Sequence, residues 1–220
     1  MTVTAERVDT WEMVLVHRVF RREFRILPAL IRAASAGDRA RAGVLGDHLQ
    51  TLATALRHHH EAEDELLWPA LLDRVGLHAD LVHRMESQHD RLHVLLDRID
   101  ELTPRWRATA GAALRDELAD VVAGASAAIH EHLADEEQEV LPLVSEHITQ
   151  AEWDALNKRG QDSIPKNAKA FLFLGSILEE ATAREERMFM RQLPAPIRLV
   201  WRFGGPRVYA RSTRRIRGGA

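Results

Sequence analysis

Apolar residues recur at alternating spacings of three and four along four separate stretches of this chain, and histidines fall on the same stripes. In the first stretch the stripe runs Met13, His17, Phe20, Phe24, Leu27, Ile31. In the second it runs Leu45, Leu49, Leu52, Leu56, His59, Glu63, then Leu66 and Leu67. The third is Val82, Met85, His89, Leu92 with His93, Leu96, Ile99, and the fourth is Leu114, Leu118, Val121, Ala125, His132, Glu136, Val140, Leu143. This spacing is that of the buried face of a bundle helix. Strand-type alternation is scarce and Ala, Leu, Arg and Glu abound, so the chain reads as all-α.

Breakers divide the stripes. Ser35-Ala36-Gly37-Asp38 ends one helix and caps the next. Pro69 and Gly76 close the second, and Thr103-Pro104 is read as the break between the third and fourth. The expected helices are 8–34, 38–73, 78–103 and 105–147, with Pro28 kinking or shortening the first. Four long helices on short connections predict an up-down-up-down four-helix bundle over residues 1–147. Residues 148–220 are expected to form a helical C-terminal extension. In it Thr149 and Glu152 fit a capping box, Pro165 opens a further helix to Glu180, and Pro194, Pro196, Gly204, Gly205 and Pro206 leave a partly flexible basic tail.

The 220 residues include 12 histidines and no cysteine. Disulfides, thiolate zinc sites and Cys-ligated clusters are excluded, so any metal site uses nitrogen and oxygen. The net charge of −3 hides an asymmetry: residues 191–220 hold eight Arg and no acid, leaving the rest at −11. No run approaches the ~18 apolar residues of a membrane span. Glu6, Arg7, Asp9 and Glu12 leave no signal-peptide core, so the cytoplasm is the expected location.

Each of the four stripes carries at least one histidine. Burying five imidazoles and two carboxylates without partners is very costly, and a shared cation supplies the missing partner. Residues four apart share a helix face, so His59/Glu63, His89/His93 and His132/Glu136 can each offer two donors to one centre. The surroundings of two of these pairs repeat: His59 to Pro69 lines up with His132 to Pro142. In both, Glu follows His by four, a second acid by five and Pro by ten. Two related halves giving ligands to a shared site suit two metals bridged by carboxylate.

At these residues the chain resembles the hemerythrin-like (HHE cation-binding) family over residues 8–147, matching its motif order at His17, His59 with Glu63, His89 with His93, and His132 with Glu136. The resemblance implies a non-haem centre of two Fe ions with oxo or hydroxo and carboxylate bridges. Those seven residues would be the metal ligands, and one iron would keep an open position for dioxygen or a related small ligand. The oxygen carriers of the family use Asp five residues after the last histidine. Here that position is Glu137, while Glu136, at four, continues the stripe and is chosen as the bridge.

His58 and His60 flank a ligand on one helix and are expected at the rim or surface, with proton shuttling as the stronger alternative. His48, His78, His83, His130 and His147 lack the stripe spacing and are expected to be exposed. Glu61, Asp64, Glu65, Glu137 and Glu139 are read as solvating groups, and Trp68 and Trp153 as core aromatics. Phe20, Leu56, Leu66 and Ile129 are candidates to line a dry ligand pocket. A ferritin-like site needs two Glu-x-x-His motifs, and only Glu86-Ser87-Gln88-His89 is present. A tyrosyl radical has only Tyr209 to use, in the tail, and no His-Glu-x-x-His supports a zinc hydrolase.

The expected function is a non-haem di-iron protein that binds or reacts with dioxygen, peroxide or nitric oxide as a sensor, carrier or redox protein. The alternative is a di-iron oxidoreductase acting on peroxide, nitric oxide or an organic substrate, which would also need an electron donor. No specific nucleic-acid partner is expected. The basic tail is expected to fold back onto the acidic body in preference to a membrane surface.

Overall fold

The computed structural model describes residues 7–74, 79–162 and 168–218. His78, Gly76 and Pro165 lie outside the described residues. Helices α1 (Trp11–Arg32), α2 (Arg39–Ala62), α3 (Trp68–Arg74), α4 (Ala79–Thr109), α5 (Ala112–Asp135) and α6 (Leu141–His147) are followed by α7 (Gln150–Asp162), α8 (Ala168–Glu180), α9 (Ala183–Gln192) and α10 (Ala195–Arg217). A single π-helical turn, Glu63–Leu67, carries α2 into α3, and a second, Glu136–Val140, carries α5 into α6. Four long rods result. No strand occurs among the described residues, and no helix there is long and apolar enough to cross a membrane.

α1 packs on α2 and α5, and α4 packs on the same two helices from the other side. The ring encloses two apolar clusters. One contains Phe20, Leu56, Leu92 and Ile129; the other contains Met13, Leu67, Met85 and Val140. Along α1 and α4 the chain passes from the second cluster to the first, and along α2–α3 and α5–α6 it passes back. Consecutive rods therefore run in opposite senses. Between the clusters lies one polar layer, containing His17, His60, Glu63, His89, His132 and Glu136, all buried.

The π turns have a local cause in the sequence. The Trp68 N–H reaches the Glu63 carbonyl five residues back, and the Leu141 N–H reaches that of Glu136. Pro69 and Pro142 come next. In a continuous α-helix each ring would strike the carbonyl four residues earlier, and widening the preceding turn relieves that clash. The extra residue also moves the buried register on by one. Leu67 and Leu71, with Val140 and Val144, are buried. Leu66, expected on the stripe, is 39% exposed, and Leu143 is only half-buried.

Two expected boundaries are corrected. Pro104 does not separate two helices: α4 runs through it, because Leu102, Thr103 and Trp106 are buried there and hold the helix in place. The break falls at Ala110, which takes a left-handed φ of 48°. Its carbonyl accepts a 2.9 Å hydrogen bond from the Gly37 N–H, which ties this turn to the α1–α2 turn. Pro28 likewise sits inside α1, which continues to Arg32. The tail is the second correction. α10 continues through Gly204, Gly205 and Pro206. These glycines serve close approach rather than a break: a Cβ on Gly205 would strike the Trp201 ring, and one on Gly175 of α8 would strike Tyr209 of α10.

The end of α10 reaches the bundle. Ile216 joins the first apolar cluster, and Arg41 donates to the carbonyls of Arg215 and Ile216. Arg217 donates to Glu179 at 2.7 Å and to Glu23 at 2.9 Å. Glu23 is 2% exposed, on α1, and also accepts from Arg22 and from His48 at 2.9 Å. His48 is thus buried, not exposed as its lack of stripe spacing suggested, because a buried carboxylate is its partner.

Deleting residues 191–220 removes the Ile216 and Arg217 contacts and is expected to lower Tm by roughly 5 °C; an unchanged melting curve would show that the tail does not dock. The Glu23 carboxyl is held down to about 2, against 4.5 unfolded: burial opposes this, but His48, Arg22 and Arg217 outweigh it. Its folded value lies below its unfolded one, so its contribution, about 3 kcal/mol, is complete above the unfolded value and fades as pH falls towards 2. Denaturant titrations of the parent and Glu23→Gln should therefore differ at pH 7 and converge at low pH.

Candidate metal centre

The polar layer is assembled from all four rods. His17 comes from α1, His59 and His60 from α2, Glu63 from the first π turn, His89 from α4, His132 from α5 and Glu136 from the second π turn. Two groups form in which one donor atom of each residue lies within 4.8 Å of the others: His60, His89 and His132, and His17, His59, Glu63 and Glu136. Glu63 joins them. Its Oε1 is 3.2 Å from His59 Nε2 and its Oε2 is 3.4 Å from His89 Nε2. Glu136 Oε2 lies 3.4 Å from His17 Nε2 and 3.7 Å from His132 Nε2.

Outer hydrogen bonds fix which nitrogens face inward. His89 Nδ1 is 2.7 Å from Asp64 Oδ1, and His17 Nδ1 is 2.9 Å from Glu137 Oε1. A carboxylate only accepts, so both Nδ1 atoms carry hydrogen, and in the neutral rings that a metal needs both Nε2 atoms present lone pairs. His132 Nδ1 donates to Gln88 Oε1 at 3.1 Å, and the amide is oriented by Gln88 Nε2 donating to Asp135 at 2.9 Å. The Nε2 lone pairs of His89 and His132 therefore face one another across 3.2 Å. His17 Nε2 and His59 Nε2 stand at the same 3.2 Å. All four oxygens of Glu63 and Glu136, and both ring nitrogens of His60, have no hydrogen-bond partner.

Such a layer demands positive charge. Burial, with Glu63 alongside, pushes the Glu136 carboxyl up to about 8. Glu63 is also raised by burial. Burial acts against a charged His89, yet its hydrogen bond to Asp64 and the nearby Glu63 carboxylate raise it to about 9. Burial and then His89 push His132 down to about 2. The protein can satisfy the layer with protons or with cations. Imidazole and carboxylate donors about 3.2–3.4 Å apart match adjacent positions around a first-row metal with bonds of roughly 2.1 Å.

Six of the seven residues expected as ligands meet in this layer: His17, His59, Glu63, His89, His132 and Glu136. His93 does not join either group. It is half-buried, with Nε2 unpartnered and its ring 6.1 Å from that of His60. His60, expected at the surface, is fully buried inside the layer. Adjacent residues point about 100° apart; His59 and His60 straddle the centre line of α2, so both reach it. Glu136 occupies the layer while Glu137 sits outside it as the partner of His17 and Arg21. Asp64 and Glu137 are thus orienting groups rather than solvating ones, and both are the acid five residues after a histidine in the internal repeat. Trp68 is 1% exposed and donates to Asp64 at 2.9 Å. Phe20 packs against the His59 ring at 5.5 Å.

Fold and site together define a helical bundle with an imidazole–carboxylate metal centre. The family model described as the hemerythrin HHE cation binding domain matches residues 8–144. The chain belongs to this family and is a metal-binding protein of the kind for which the family is named. No curated protein and no solved structure matches it.

Asp64→Asn is expected to weaken metal binding about 10- to 100-fold, because His89 loses the carboxylate that fixes its tautomer. Glu65→Gln changes an exposed acid paired with Arg159 and should leave affinity unaltered. Competitive titration against a chelator reads both.

Proposed function

We propose that the chain holds two iron ions in this layer, sharing Glu63 and Glu136, and that it binds dioxygen or a related small ligand, peroxide or nitric oxide, as a carrier or sensor. The observation that carries this reading is the pair of facing lone pairs on His89 and His132 beside four unpartnered carboxylate oxygens. Iron in such a nitrogen–oxygen set supplies reversible ligand binding or electron transfer to oxygen species.

The chain's own residues do the rest. Asp64, Glu137 and Gln88 hold three imidazoles with Nε2 inward. Phe20, Leu56, Leu92 and Ile129 close one side of the layer and Met85, Leu67 and Val140 the other, keeping bulk water away. A large organic substrate would need an open cleft at the layer. The cleft bounded by Asp9, Trp11, Glu12, Trp153, Lys158 and Gln192 contains none of the layer's residues. The apolar side chains packed on both sides of the layer favour a small diffusible ligand over the oxidase alternative.

Metal analysis of the full chain is expected to find about two iron per chain, from two donor groups each able to hold one ion. Removing iron should lower Tm, since the donors stay buried and unpaired. Mixing the reduced, iron-loaded protein with oxygen in a stopped-flow instrument should give a reversible spectral change lost on degassing. Rapid irreversible oxidation would instead assign redox turnover, and iron-loaded protein without charge-transfer absorption would overturn the di-iron reading.

A further inference from the structure

His60 is the residue of the layer that the motif does not use. It is fully buried, and neither Nδ1 nor Nε2 has a hydrogen-bond partner. Its ring stacks on His89 with centroids 4.1 Å apart and planes at 17°, and meets His132 edge-on at 5.1 Å. One of its nitrogens lies within 4.8 Å of donor nitrogens of both His89 and His132. A core imidazole kept for packing normally satisfies at least one nitrogen, because an unpaired buried polar atom costs about 1–3 kcal/mol. Here two go unsatisfied, beside four carboxylate oxygens that also lack partners. His93, four residues after His89, stands apart from both donor groups.

We propose that His60 is a metal ligand in this chain, completing the subsite of His89 and His132 in place of His93. The proposal rests on the metal-centre reading above. It divides the donors along α2: His59 faces His17 and Glu136, while its neighbour His60 faces His89 and His132. The chain then carries a three-imidazole subsite beside a subsite of two imidazoles and two carboxylates. His93 is left next to the three-imidazole side with its Nε2 unpartnered.

The test uses the full chain loaded with ferrous iron under anaerobic conditions. Iron is counted per chain in the parent, His60→Leu and His93→Leu, and thermal unfolding is followed with and without iron. The expected result is a fall from about two iron per chain to about one in His60→Leu, with His93→Leu keeping the parent's count. Without iron, His60→Leu should melt at or above the parent temperature, since an unsatisfied imidazole has been replaced by an apolar group of similar size. With iron, it should show a smaller upward shift in Tm than the parent. A His60→Leu protein that is folded and still takes up the parent's iron overturns the assignment, as does loss of one iron in His93→Leu alone. A parent chain that takes up no iron overturns the metal-centre reading itself, and the assignment with it, so the two failures are distinguishable.

Discussion

Two imidazole lone pairs held 3.2 Å apart inside an apolar bundle repel unless a positive charge lies between them. The packing of the rods holds that contact in place. Apolar clusters above and below clamp the four helices, and the polar layer between them is the one level at which the bundle cannot be held by packing alone. Hydrophobic burial fixes the rods, outer acids fix the rings, and the inward atoms are left for a cation. Metal binding at the layer is therefore coupled to the stability of the fold.

The internal repeat shows how one local device builds both halves of the layer. In each half a π turn begins at the carboxylate four residues after the histidine, and a proline ten residues after that histidine follows it. Consecutive acids diverge, as adjacent helical residues do. Glu63 and Glu136 point inward, while Asp64 and Glu137 turn towards rings on neighbouring helices. The two outer acids are not equivalent in target: Asp64 serves His89 on α4, and Glu137 serves His17 on α1. Beyond the π turns Leu67 and Val144 are buried, while Leu66 is exposed and Leu143 half-buried.

Much of this was legible before any coordinates. Stripe spacing located the four rods, and the step from Leu56 to His59 and Glu63 located the polar layer. The repeat marked acids four and five residues after each histidine, and the stripe chose Glu136 rather than Glu137. What escaped has physical reasons. Periodicity picks one residue per turn as central, so it chose His59 and excluded His60, although two adjacent residues can straddle a centre line. The i, i+4 rule put His93 with His89, but that rule states only that two side chains share a helix face, not that both reach one point. Proline and glycine rules mark local cost, and packing outweighed them at Pro104 beside buried Trp106 and at Gly205 beneath Trp201. The Glu23–His48–Arg217 group joins residues up to 194 positions apart, and no window along the chain contains it.

That last group also serves as an internal control on the metal reading. Glu23 and Glu63 are both buried carboxylates in the same bundle, at 2% and 0% exposure. Around Glu23 the protein supplies Arg22, His48 and Arg217, and the carboxyl is held low, in its charged form. Around Glu63 and Glu136 it supplies no arginine, leaves four oxygens without partners, and the carboxyls are pushed up. This fold can thus satisfy a buried acid from its own side chains when a structural role is all that is required. Leaving two acids and an extra imidazole unsatisfied at one level, while ordering the rings of His17, His89 and His132 with outer hydrogen bonds, is the pattern of a site shaped around a partner that the polypeptide itself does not provide.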